Sequence, residues 1–354
     1  MCDGNALAKG EFVSLVKMVE VWRGPLVECT HHGVAAVANV SGEIIEGWGD
    51  TEMVTYPRSA LKPVQAIALV ETGAYQARGL TSRHLALACA SHRGEPMHTE
   101  LVTEWLAALG LNQSALACGP DHPADETSAA AAIGAGHPTQ RIYHNCSGKH
   151  CGFLTVALHR GWPAEGYDQL AHPTQQLYLD ALSELTGQDA HALPFGIDGC
   201  ALPAAALSVA TMAATMARFA AARVSSPLRR AAIHAIHDAM RAHPEYTSGT
   251  DQPGVQLARA TRGRIMMKTG ADGFLMAYVA DQGLGIALKI ADGEARARIP
   301  ALIALLSAVG LLDAAEQREI ARLAEPPVVN STGATVGRIC ACGFEKSVSP
   351  RALR

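Results

Sequence analysis

Segments that read as strands lie towards both ends of this chain, and segments that read as helices fill the space between them. That order constrains the fold more than any other feature of the sequence. Val16 to Gly24 alternates weakly, and Val34 to Val40 with Glu43 to Trp48 reads as a hairpin turning at Ser41-Gly42. Later in the chain, Arg264 to Lys268, Phe274 to Ala280 and Leu284 to Ile290 are short apolar runs, separated by Gly-Ala-Asp-Gly and Asp-Gln-Gly turn chemistry. In the middle, Leu61, Val64, Ala68 and Leu69 share a helical face over Ser59 to Glu71, as do Leu101, Trp105, Leu106 and Leu109 over His98 to Leu109. Pro203 to Ala222 and Pro227 to Ala242 are alanine-rich, each with Pro at the first helical position. Ile299 to Val309 and Ala314 to Leu323 predict a late helix pair. Isolated short strands are marginal in water, so the early and late strands are expected to join in one antiparallel sheet. The helical middle is then an insertion or second lobe. The expected class is α+β without a βαβ repeat. It is read as one domain over 1–354, with the sheet from about 14–50 and 262–345 and the helices from about 59–250.

Composition removes several function classes. Apolar residues are 49% and charged residues 18%, a globular balance that excludes global disorder. Lys plus Arg is 29 against 33 for Asp plus Glu, so the net charge is −4, and no basic cluster offers a face for a nucleic-acid backbone. Aromatics are only 5%, which argues against base-stacking platforms. Cys200 to Met216 is uncharged, but it is rich in Ala, Ser and Thr and contains Pro203, so it reads as a buried helix. A spanning helix needs about 20 predominantly apolar residues. The start, MCDGNALAKGEF, has no apolar export core, so a cytoplasmic protein is expected, with no membrane and no nucleic-acid partner. Nine cysteines, an odd number, then read as reduced thiols that are buried, reactive or metal-binding. The tail Ser347 to Arg354 is expected to fray.

Five short motifs carry candidate chemistry. Ser59-Ala60-Leu61-Lys62 puts a serine and a lysine three apart, on one helix face. A lysine so placed can take the serine proton if burial or a second cation lowers its pKa, and a helix N-terminus steadies the developing anion. The bland alternative is a capping serine and a solvated lysine. Lys268-Thr269-Gly270 follows the apolar run Ile265-Met266-Met267. In acyl-transfer enzymes of the penicillin-binding and β-lactamase type, K-T-G on a strand lines the site opposite S-x-x-K. By itself it is also an ordinary strand end with a turn glycine. Ala90-Ser91-His92-Arg93-Gly94-Glu95 is dense polar chemistry before a helix, or a charged loop with a serine cap. Asn145-Cys146-Ser147-Gly148-Lys149-His150-Cys151 and Gly196-Ile197-Asp198-Gly199-Cys200 could supply soft metal ligands. No C-x-x-C is present, and from spacing alone buried structural cysteines are the better reading.

Taken together, the runs YPRSALKPVQAIALVETGA, ASHRGEPMHTE, CGPDHP, HNCSGKHCGF and GIDGCALP resemble the rhizobial-type, thermolabile L-asparaginase II family over about residues 14 to 345. That family is distinct from asparaginases with paired threonines and from those with an N-terminal threonine nucleophile. The resemblance implies a fold similar to serine β-lactamases, penicillin-binding proteins and serine glutaminases, and hydrolysis of L-asparagine to L-aspartate and ammonia. It implies two Ser-Lys tandems, Ser59 with Lys62 and Ser91 with Lys268, with Ser59 as nucleophile and Lys62 as its base. It implies a zinc ion on Cys146, Lys149 and Cys200, and pocket roles for Arg58, His150 and Asp198. Asp198 is expected on the substrate's α-ammonium and Arg58 on its α-carboxylate, where a guanidinium fork fits. A homodimer is implied in the same way. The rivals are a glutaminase, a penicillin-binding-type peptidase or esterase, and a non-catalytic zinc- or amino-acid-binding relative.

Overall fold

In the computed structural model, residues 13–344 are described; residues 1–12 and 345–354, which include the tail Ser347 to Arg354 expected to fray, lie outside them. Twelve strands are seen: β1 Val16–Arg23, β2 Leu26–Ala38, β3 Ile44–Trp48, β4 Val54–Thr55, β5 Phe195–Ile197, β6 Pro203–Ala205, β7 Leu207–Ser208, β8 Ile265–Thr269, β9 Phe274–Val279, β10 Leu284–Ile290, β11 Pro327–Val329 and β12 Thr335–Ala341. Eight of them form one antiparallel sheet in the order β11-β12-β1-β2-β10-β9-β8, with β3 continuing the β1 edge of β2. The early and late segments therefore join as expected. The seam is β2 against β10, from Ala38 opposite Gly285 to Gly33 opposite Ile290.

The sheet is buried on both faces, and the side-chain period of two sorts its residues. Val34, Ala36 and Ala38 of β2, with Phe274, Met276 and Tyr278 of β9, face the helical lobe. Ala35, Val37, Leu275, Ala277 and Val279 face the other way, against the helix Ala295–Ala308. The first of the two late helices thus covers the back of the sheet, while the second is broken at Ile320 into Ala314–Glu319 and Ala321–Ala324, the latter packed on the first. On the front, the helix Val209–Ala220 lies so close that a Cβ on Gly285 would sit 2.1 Å from Ala213 O. Only glycine permits that approach.

Two expectations change. Pro203 opens a strand, not a helix; the helix starts at Val209, where Ser208 Oγ accepts from Thr211 N–H. The cap, not the proline, sets that boundary. The run Ser59 to Glu71 is not one helix. It begins as a 3₁₀ turn, Arg58–Leu61, and continues in two short helices, Lys62–Gln65 and Ile67–Glu71. Pro227–Ala242 is helical as expected. No helix among the described residues is long and apolar enough to cross a membrane.

Candidate active site

Three separate segments deliver the candidate serines and lysines. Ser59 stands in the 3₁₀ turn just after Arg58, whose φ of 49° is in the left-handed region. A non-glycine residue there is strained, and such strain clusters at functional sites. Ser91 follows the helix Ser82–Ala88 in a loop pinned at two points, by Ser91 N–H to Thr247 O at 3.0 Å and His92 N–H to Asn145 O at 3.2 Å. Lys268 is the fourth residue of β8. Gly270, just beyond, abuts the first segment: a Cβ there would lie 2.4 Å from Pro57 O.

These segments converge on the Ser91 hydroxyl. Lys62 Nζ lies 3.0 Å from Ser91 Oγ, and Lys268 Nζ lies 2.7 Å from it. Both lysines are buried. Lys62 Nζ also donates to Ala90 O at 2.5 Å and to Asn145 O at 3.5 Å. Three acceptors match the three donors of an ammonium. Burial, and then the charge of Lys62, hold the Lys268 amine well below the usual lysine range. Lys268 is the amine poised to take a proton. The expected pairing is thereby altered: the hydrogen bond of Lys62 runs to Ser91. Ser59 Oγ has no hydrogen-bond partner among the described residues, although it lines the same cleft of about 350 Å³ as Ser91.

Arg58 and Asp198 also line this cleft, but they face each other. Arg58 Nε donates to Asp198 Oδ1 at 2.8 Å, and the guanidinium also bridges to Asp272. Burial raises the Asp198 carboxyl, yet Lys149 and Arg58 outweigh it and leave the group below its ordinary value. The arginine expected on a substrate carboxylate is already held by two carboxylates. His150 is a second departure. It is fully buried on the helix Ser147–His159, its Nδ1 pairs with Tyr167 Oη at 2.6 Å, and it is not among the residues lining the cleft. Its Nε2 has no partner.

The cysteines and the lysine expected on zinc do meet. Cys146 caps the helix Ser147–His159, Lys149 stands in its first turn, and Cys200 sits in the β5–β6 turn beside Ala201, whose φ is 72°. Lys149 Nζ is 3.0 Å from Cys200 Sγ. Cys146 Sγ lies 3.0 Å from Asn145 Oδ1. The neighbouring Cys200 thiol, with Lys62 and Lys149, holds the Cys146 thiol well below its ordinary value, and the proximity of Cys146 pushes Cys200 up. A buried cation at a helix N-terminus opposes the dipole. Burial would lower Lys149, but Cys200, Cys146 and Asp198 overcome it and raise the amine. Among the described residues no three His, Cys, Asp or Glu side chains converge as a metal site. This trio takes its third donor from lysine. Two buried sulfurs and an amine fit a zinc ion chemically.

Two further residues belong to no motif that could have flagged them. Asp272, in the β8–β9 turn, has a φ of 49° and holds Arg58. Arg298, on the helix Ala295–Ala308, reaches back to the turn after Lys268, with Nη1 donating to Gly270 O at 2.6 Å. Burial lowers its guanidinium, and no carboxylate pairs with it among the described residues. A second cavity of about 630 Å³ meets the cleft here, with Ser91, Asn145, Thr269 and Arg298 lining both.

The class of protein is given by a sequence match, which places the chain among hydrolases that act on amides. The L-asparaginase II family model matches residues 19–341, so the chain belongs to that family. Comparison with curated proteins gives no significant sequence match. Similar solved structures include Mglu, at 16% identity and a TM-score of 0.43, over 82% of this chain and 67% of that one. Mglu in 4.3 M NaCl is similar at 16% identity and a TM-score of 0.45, over 79% of this chain and 61% of that one. A β-lactamase from Mycobacterium bovis is similar at 16% identity and a TM-score of 0.39, over 82% of this chain and 95% of that one.

Proposed function

We propose that the protein hydrolyses L-asparagine to L-aspartate and ammonia by serine-lysine acyl transfer. The observation that carries the mechanism is the Ser91 hydroxyl held between two buried lysine amines, beside a cleft that also contains Ser59. Ser59 is the nucleophile. Its Oγ has no partner to displace, and it stands at the start of a helical turn behind a strained residue. Its proton passes through Ser91 to Lys268, which takes the base role expected of Lys62. Lys62, with its donors committed, holds Ser91 in place. Ser59 and Ala271 line the cleft, and among the described residues their backbone N–H groups donate to no backbone carbonyl, so they are the groups assigned to receive the oxyanion. The proton then returns through Ser91 to the departing nitrogen, and water resolves the ester by the same route.

Asp198 receives the α-ammonium of the substrate. Arg58, tied to Asp198 and Asp272, positions that carboxylate. Cys146, Lys149 and Cys200 would hold zinc, which when bound supplies positive charge to orient a polar substrate group. Glutamine is longer by one methylene, a difference that pockets distinguish by about 1–3 kcal/mol. The test is ammonia release from L-asparagine and L-glutamine, with and without a zinc chelator. Release from asparagine in preference to glutamine supports the assignment. A folded, zinc-loaded protein that releases ammonia from neither overturns it.

A further inference from the structure

Loss of ammonia leaves the second cavity without a use. It measures about 630 Å³ and joins the cleft at Ser91, Asn145, Thr269 and Arg298. Arg93, Lys268, Arg296, Arg298 and Arg322 line it, and among the described residues no Asp or Glu does. Of these, Arg298 stands at the junction, fixed by Gly270 O and free of any carboxylate partner among the described residues. The rest of the lining mixes Pro244, Met266, Met267, Ile299, Pro300 and Leu323 with polar groups such as Thr247, Ser248 and Gln252, so it offers apolar surface beside the arginines.

The reaction fixes which way the leaving group points. The departing nitrogen must receive its proton from the Ser91 relay, so it faces Ser91, the residue shared by both cavities. A substituent on that nitrogen therefore enters the second cavity. A carboxylate two bonds from the nitrogen would meet the cation at the junction. An apolar side chain on the intervening carbon would fill the space beyond. A substituent of that description is an apolar α-amino acid.

The geometry points to a further activity: hydrolysis of β-aspartyl dipeptides with an apolar C-terminal residue. Arg298 holds the carboxylate of the departing amino acid, and the second cavity holds its side chain. This rests on the amide-hydrolysis reading above and extends it to substituted amides. The isopeptide C–N bond breaks as the Ser59 Oγ–carbon bond forms. The Ser59 proton travels by Ser91 and Lys268 to the nitrogen, which leaves as a neutral amine. Water then cleaves the ester to aspartate and restores the serine.

The test compares L-asparagine, β-aspartyl-leucine and β-aspartyl-leucine amide on the full chain and two variants. On the wild type, kcat/KM for the dipeptide should exceed that for its amide by about 10- to 100-fold, the range for a charge-assisted contact. Arg298→Met should bring that ratio close to one; a ratio is insensitive to a general loss of active protein. Gly254→Leu adds a side chain to the cavity wall, where a Cβ would meet Met267 Cε and Ser248 Oγ at an unstrained 3.6 Å. It should slow the dipeptide by about tenfold or more and leave asparagine turnover unchanged. Asparagine turnover without leucine release overturns the inference, as does a dipeptide-to-amide ratio that survives Arg298→Met. Failure on every amide, asparagine included, would sink the amide-hydrolysis reading along with it.

Discussion

Gly270→Ala tests the contact that sets the two halves of the site against each other. Gly270 ends the K-T-G run, two residues after Lys268. A Cβ there would stand 2.4 Å from Pro57 O and 3.2 Å from Phe274 Cβ. Ordinary contact begins at 3.4 Å, so the two backbones must part by 3.4 − 2.4 = 1.0 Å. Overpacking of this kind costs about 1–3 kcal/mol. For domains of about 150–250 residues that is about 2–4 °C in Tm per kcal/mol, and less in larger ones. The effect on turnover should be larger. Pro57 leads directly into Arg58 and Ser59, while Gly270 follows Lys268 and Thr269. Parting them moves the proposed nucleophile, Ser59, away from the proposed base, Lys268. A displacement of about 1 Å costs on the order of a hundredfold in rate. The assay is ammonia release from L-asparagine alongside a thermal melt of the same sample. The expected result is a folded protein, a few degrees less stable, with kcat/KM down by about a hundredfold. Wild-type turnover with an unchanged melt would refute the contact and the alignment inferred from it.

Further outcomes follow from the same geometry. Ser59→Ala should lower turnover by roughly a thousandfold or more. Ser91→Ala, which removes the relay, should lower it by about a hundredfold or more; retention of near-normal rates by either variant would move the nucleophile or the relay elsewhere. Lys268 is depressed by burial, so its neutral, basic form should accumulate as pH rises, and kcat/KM should climb through a midpoint well below 10.5. Its stability sign is the same. Between the folded pKa and 10.5 the unfolded chain binds the extra proton, so stability rises with pH there, and the full cost of burying this amine is felt below the folded pKa. Lys268→Met should therefore be inactive yet more stable than the wild type near neutral pH. A denaturant titration at several pH values measures this, and a less stable variant would count against a depressed Lys268. Cys200→Ala should abolish stoichiometric zinc binding, measured as metal content after gel filtration. Undiminished zinc would take the ion away from this trio.

Much of the architecture was legible because strand period and turn chemistry are local. The late strands were placed within a residue or two of β8, β9 and β10, each bounded by its own turn. Pro203 misled because proline at a helix start and proline at a strand start look alike in sequence. The difference lay in Ser208, whose side chain caps the helix five residues later. Candidate site residues were legible where a motif kept them together, as in Ser59 to Lys62, Ser91 to Glu95 and Lys268 to Gly270.

Partnerships within the site are another matter. A spacing of three places Ser59 and Lys62 on one helical face, but it does not choose where a long amine points. Lys62 reaches Ser91, 29 positions away, because the Ser91 loop is pinned by Thr247 and Asn145. For Arg58, the family resemblance and the guanidinium fork together point to a substrate carboxylate. Folding brings Asp198 and Asp272, 140 and 214 positions distant, to its guanidinium. Arg298 belongs to no motif, and it matters only because its helix crosses beneath the Gly270 turn. Periodicity, turns and short motifs act over a few residues, so the α+β order of elements and the residue types available for chemistry can be read along the chain. Which amine is held below the usual lysine range, which carboxylates hold the arginine and where a second cavity opens depend on the fold, since charge and burial act through space between segments far apart in the chain.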